Sequence, residues 1–120
     1  MAKFDANTLS AFRDLREVRI RTDKHPDSAV VIWVVVADGD VFVRSFRGAT
    51  GRWYRDLAAG GPAILEFGRL KLAVQAVPAN EPGPIERASR AFLDKYGSSS
   101  YAQAMVKPEV LPTTLRLEPR

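Results

Sequence analysis

Nine consecutive apolar residues, AVVIWVVVA at 29–37, run into Asp38-Gly39 and are followed at once by DVFVRSF. No other stretch limits the fold so tightly. Valine and isoleucine dominate the run, and their branched side chains pack well on a pleated surface while losing rotamer freedom in a helix. Uninterrupted hydrophobicity predicts a strand covered on both faces, at the centre of the core. Asp-Gly is a favoured pair for a two-residue hairpin turn because both residues tolerate positive φ. Segment 40–46 is therefore expected to return antiparallel to the run, with Arg44 within or at the end of that strand.

The remaining elements follow from periodicity. Asn7 or Thr8 can cap a first helix that sets Leu9, Phe12 and Leu15 on one side and Arg13 and Arg16 on the other. In EVRIRTD, Val18, Ile20 and Thr22 alternate with charged residues, the period of a half-buried strand, and KHPDS then breaks it. Between residues 50 and 60 Trp53 and Leu57 lie one helical turn apart, with Thr50 as N-cap and Gly60 and Pro62 as the stop. PAILEF and LKLAVQAV read as a second hairpin joined at Gly68-Arg69. Pro84 opens a longer helix on which Ile85, Ala88, Ser89, Phe92, Leu93 and Tyr96 share one face, closed by Gly97. SSSYAQAM adds a further helical turn, and TTLRLE alternates as a last strand. This order predicts an α+β, mainly β fold in one domain spanning 1–120: six mainly antiparallel strands with short flanking helices, closing into a small barrel that removes exposed edges.

The chain has no cysteine and one histidine, His25, which leaves no thiolate chemistry and no spacing suited to a metal site. Ser98, Ser99 and Ser100 follow a helix stop rather than a strand-to-helix elbow, so no side chain is assigned as a catalytic nucleophile. No apolar run reaches membrane-spanning length, and MAKFDANTL lacks the layout of a signal peptide, so the expectation is a soluble cytoplasmic protein. The net charge of +4 is concentrated. Between residues 41 and 72, Arg44, Arg47, Arg52, Arg55, Arg69 and Lys71 face only Asp56 and Glu66, and the rest of the chain is neutral. A local excess of this kind is the electrostatic footprint of an anion site. Within it, Gly48-Ala49-Thr50-Gly51 sits between a strand and a helix, where backbone N–H groups and the guanidinium forks of Arg44, Arg47 and Arg52 can converge on one phosphate. Trp53 is expected in the core, with Tyr54 nearer the rim of the site. The alternative is that these arginines pair with Asp56 and Glu66 as ordinary surface charges.

The succession VFVRSFRGATGRWYRDLAAGGPAILEFGRLKLAVQAVPA resembles the phosphate-binding middle of the split β-barrel superfamily of pyridoxamine-phosphate oxidases and deazaflavin-dependent reductases. From Leu9 to Leu117 the chain resembles the uncharacterised split-barrel family called domain of unknown function 2255. The resemblance implies that Arg44 and Ser45 approach a cofactor phosphate, with Arg47, Gly48, Arg52, Trp53 and Tyr54 in the loop and helix start behind it. It also implies a homodimer that holds the flat ring of FMN or a deazaflavin coenzyme where two barrels meet. Oxidase members bring a further basic residue from the strand that corresponds to 29–37, which is wholly apolar here. Three functions follow in order: a flavin- or deazaflavin-dependent oxidoreductase, a non-catalytic binding module for a phosphorylated or other anionic small molecule, and, least supported, single-stranded nucleic-acid binding.

Overall fold

In a computed structural model, which describes residues 3–120, the first helix α1 (Ala6–Asp14) is capped by Asp5, not by Asn7 or Thr8. The Asp5 carboxylate accepts the backbone N–H of Thr8 at 2.7 Å, satisfying one donor that the first turn cannot pair internally. The first two residues of the stretch read for a leader lie outside the described residues. Among the described residues the rest of the chain forms strands β1 (Val18–Thr22), β2 (His25–Ile32), β3 (Val35–Ala37) and β4 (Asp40–Val43), then helix α2 (Arg52–Leu57). Strands β5 (Gly61–Phe67) and β6 (Leu70–Pro78), helix α3 (Pro82–Tyr96) and strand β7 (Leu115–Pro119) complete it. Short 3₁₀ turns occupy Gly48–Thr50, Ala102–Val106 and Leu111–Thr113. No helix among them is long and apolar enough to cross a membrane.

All seven strands belong to one antiparallel sheet in the order β2-β1-β5-β6-β7-β4-β3. The strand count is seven, not six, because the apolar run at 29–37 is not one strand. It breaks at Trp33-Val34, and its two pieces become the opposite edges of the sheet. Nor does it form the centre of the core: Val31 is 55% exposed on the β2 edge. KHPDS does not end a strand either, since His25 and Pro26 begin β2, and proline is tolerated there because an edge strand has unpaired N–H positions. The strand buried on both faces is β4, where Val41 and Val43 face one hydrophobic cluster and Phe42 the other, all fully buried.

The sheet order dictates the shape. Laid flat, seven strands at the usual spacing would separate β2 from β3 by about 29 Å. The chain from Ile32 to Val35 spans at most about 11 Å. The sheet therefore curls until the short link can join its two edges, an antiparallel half-barrel consistent with a split-barrel fold, with near-equal extents of 31 × 29 × 28 Å. Phe12, Ile20, Leu65, Val74 and Leu117 fill the inside of the curl. Phe92, Tyr96 and Met105 pack α3 and its following turn on the outer face of β3 and β4. The hairpin at Asp38-Gly39 forms as its residues require, with φ of 53° and 83° and the register Ala37↔Asp40.

Candidate functional site

Arg44 leaves β4 one residue after its last paired position and turns inward, where only 1% of it is exposed. Its guanidinium donates from Nε to Thr114 Oγ1 at 2.8 Å, from Nη1 to Met105 O at 2.9 Å and from Nη2 to Ile85 O at 2.7 Å. The plane also lies over the Phe92 ring, 5.3 Å from its centroid. One side chain thus ties β4 to α3, to the Ala102–Val106 turn and to the start of β7. Burial pushes its pKa down to about 10, so it is still charged at neutral pH. Among the described residues no carboxylate neutralises it.

Ser45, equally buried, donates its backbone N–H to Thr113 Oγ1 at 3.1 Å, yet its own Oγ has no hydrogen-bond partner among the described residues. That hydroxyl lies against Gly51, where a Cβ would collide with it. Gly51 is the N-cap of α2, so the glycine is needed for this close approach and not for an unusual φ, which is −60°.

Both residues line a cleft of about 730 Å3, within the range of small-molecule sites. Arg47, Arg52 and Trp53 line it too, so the fold brings five of the seven sequence-predicted site residues together. Gly48 and Tyr54 are not among the lining residues. Gly48 is buried in the left-handed region at φ 65°, beneath the Glu109 carbonyl. Tyr54 packs against the main core, with its hydroxyl directed at Pro112 O, 3.5 Å away. Arg47 and Arg52 are exposed, and Arg52 donates to Ser28 Oγ across the mouth. Trp53 is 6% exposed and serves core and cleft together.

The carboxylates that were candidates for pairing with these arginines are engaged elsewhere. Glu66 accepts from Arg21 Nε at 2.9 Å and sits 3.7 Å from Arg19, and the Arg21 hydrogen bond holds its pKa below the usual range. Asp56 accepts from Thr22 Oγ1 at 2.6 Å and bonds His25 Nδ1 at 2.6 Å. Burial of Asp56 opposes its ionisation, but the bonds from Thr22 and His25 outweigh that and lower its pKa. Through the Asp56 bond His25, in β2, anchors the strand to α2. Among the described residues Arg44, Arg47 and Arg52 form no ion pair.

Sequence reasoning missed the other half of the cleft: Arg16 after α1, Trp33 in the β2–β3 link, Phe46, Tyr101 and Met105. Trp33 lies flat on Tyr96, with centroids 3.9 Å apart and planes at 6°. Arg16 places a cation beside residues 30–33, where the apolar strand itself supplies none. Apart from Phe46, which lies between Ser45 and Arg47, nothing local in the sequence marks these residues, because tertiary folding alone brings them together.

The architecture is similar to that of the crystal structure of a conserved hypothetical protein, Rv2991, from Mycobacterium tuberculosis: the TM-score is 0.61 over 97% of this chain and 79% of that one. At 14% identity the likeness is one of fold. No curated protein matches the chain. The family model described as uncharacterized protein conserved in bacteria (DUF2255) matches residues 6–117. The chain belongs to the DUF2255 family.

Proposed function

We propose that the cleft binds a planar anionic cofactor, FMN or a deazaflavin, and that the protein is an oxidoreductase of the split-barrel type. The observation that carries the reading is an uncompensated buried cation beside an orphaned hydroxyl: Arg44 without a carboxylate and Ser45 Oγ without a partner, both lining one cleft. Buried polar groups are almost always satisfied, and a native exception calls for a partner such as a water, an ion or, as proposed here, a ligand group. When bound, such a cofactor supplies hydride transfer. The chain's own residues bind and orient. Arg16, Arg47 and Arg52 present charge-assisted donors at the mouth, Arg44 contributes positive potential from behind the floor, and Ser45 donates one hydrogen bond. Trp33 and Trp53 supply apolar walls for a flat ring. A second copy of the chain, expected from the resemblance, closes the open side.

The second reading is a non-catalytic module for a phosphorylated or other anionic small molecule. It is favoured by the full commitment of Arg44 to protein acceptors, which leaves the direct contacts to exposed surface arginines. Titration of the purified protein with FMN and with a deazaflavin separates the two. Uptake with a spectral shift, weakened by about 1.5–3 kcal/mol in Arg47→Ala, supports the cofactor reading. Stabilisation by phosphorylated metabolites with no flavin or deazaflavin uptake supports the module. Unchanged affinity in Arg47→Ala removes that residue from the site.

A further inference from the structure

A separate cavity of about 740 Å3 lies between α3 and the edge strand β3 and shares no lining residue with the cleft. Lys95 lines it, together with Arg13, Arg87, Arg90 and Asp94. The Lys95 amine donates to Phe12 O at 2.6 Å and to Val34 O at 2.7 Å, and it lies 5.1 Å from the centroid of the Tyr96 ring. Among the described residues no carboxylate pairs with it. Arg87 is held by Asp40 at 3.0 Å and Arg90 by Glu86 at 2.9 Å, while Arg13, on the turn of α1 that also carries Asp14, is exposed.

We propose that Lys95 is a nucleophilic amine opening on this cavity, which forms an imine with small aldehydes and 2-oxo acids. The hydrogen-bond geometry accommodates the reactive form. A neutral amine has two N–H donors, which match the two backbone acceptors, and its lone pair stays free. Burial pushes the pKa down to about 8, against the pull of Asp14. A lysine desolvated in this way is activated as a nucleophile. The lone pair of Nζ attacks the carbonyl carbon, forming the N–C bond and leaving a hydroxyl on carbon after proton transfer from nitrogen to oxygen. Loss of that hydroxyl with the second amine proton, as water, gives the C=N bond, so no oxidant or reductant is consumed. Protonation from solvent restores one N–H, which returns to Phe12 O, and Val34 O keeps the minor share of the Tyr96 hydroxyl proton, whose main acceptor is Arg16 O at 2.6 Å against 3.3 Å to Val34 O.

The native protein offers its own controls, because Lys3, Lys24, Lys71 and Lys107 are all exposed. Near neutral pH the free-base fraction of an ordinary lysine is about a thousandth. Incubation with glyoxylate and cyanoborohydride converts each imine to a carboxymethyl-lysine that peptide mass mapping locates. The expected result is at least about tenfold more label on Lys95 than on any of the other four, with the excess lost when the protein is labelled unfolded in urea. Labelling of Lys95 at or below the level of the exposed lysines overturns the proposal, as does an excess that persists in urea.

Discussion

Arg44 carries a full charge into the interior and meets only neutral acceptors there. The planar fork makes this possible, since three directed hydrogen bonds and an aromatic face replace the lost water. Its place at a strand end beside Arg47 was legible in the sequence. Its burial was not, because the acceptors come from residues 41 to 70 positions away. Ser45 gives the sharper test of what the residue scale contributes. Ser45→Ala removes a hydroxyl that is buried without a partner, so stability is expected to be unchanged or raised by up to about 1 kcal/mol, while anion affinity falls. Gly51→Ala alone drives a methyl into that hydroxyl and should cost about 1–3 kcal/mol. In the Ser45→Ala background the same methyl meets only ordinary contacts, with the residue 45 Cβ and with Gly48 O, both at 3.5 Å, and the cost should nearly vanish. Urea midpoints of the two single variants and the double variant measure this coupling. Simple additivity would mean that the hydroxyl does not occupy the space against Gly51.

At the scale of elements, the two-residue link between β2 and β3 is held by the last turn of α3. Lys95 donates to Val34 O, Tyr96 Oη donates to Arg16 O at 2.6 Å and lies 3.3 Å from Val34 O, and Trp33 stacks on the Tyr96 ring. The hairpins were legible because Asp-Gly and Gly-Arg interrupt strand-forming apolar runs. The break at Trp33-Val34 was not, because an all-apolar run carries no local mark of where one edge ends and another begins. Its cause lies in α3, about 60 residues downstream, as the 62-residue separation of Tyr96 from Val34 shows. This junction gives the fold a pH dependence of definite sign. The Lys95 amine has a pKa of about 8 in the folded chain and 10.5 ordinarily, so between those values the unfolded state binds more protons and stability rises with pH. Burial raises the Tyr96 phenol to about 12 from 10.0, so between those values the unfolded state has lost its proton first and stability falls. Denaturant unfolding from pH 7 to pH 10 should therefore show wild type gaining stability relative to Lys95→Gln. Parallel profiles would assign the Lys95 amine an ordinary pKa.

For the molecule as a whole, a curled sheet whose edges are joined covalently still leaves the β2 edge open to solvent, and the cleft opens beside it. Val31, Phe46 and Tyr101 are 55%, 54% and 62% exposed, and all three line the cleft. Phe46 and Tyr101 meet edge to face, with centroids 6.1 Å apart, so they form a patch rather than scattered side chains. Contiguous exposed apolar surface next to a site is the mark of an interaction face. The proposed second copy would cover this patch and wall the open side of the cleft, so subunit association and ligand binding would be linked. Sedimentation velocity at micromolar concentration is expected to show a dimer. Phe46→Glu places a charge in the centre of the patch without touching either hydrophobic cluster, so it should weaken the dimer by at least tenfold, or about 1.4 kcal/mol, and leave protomer stability within about 0.5 kcal/mol. Affinity for the anionic ligand should fall in step with dimer dissociation, and it should recover at protein concentrations high enough to restore the dimer. A wild-type chain that sediments as a monomer and binds the ligand with concentration-independent affinity would confine the site to one protomer.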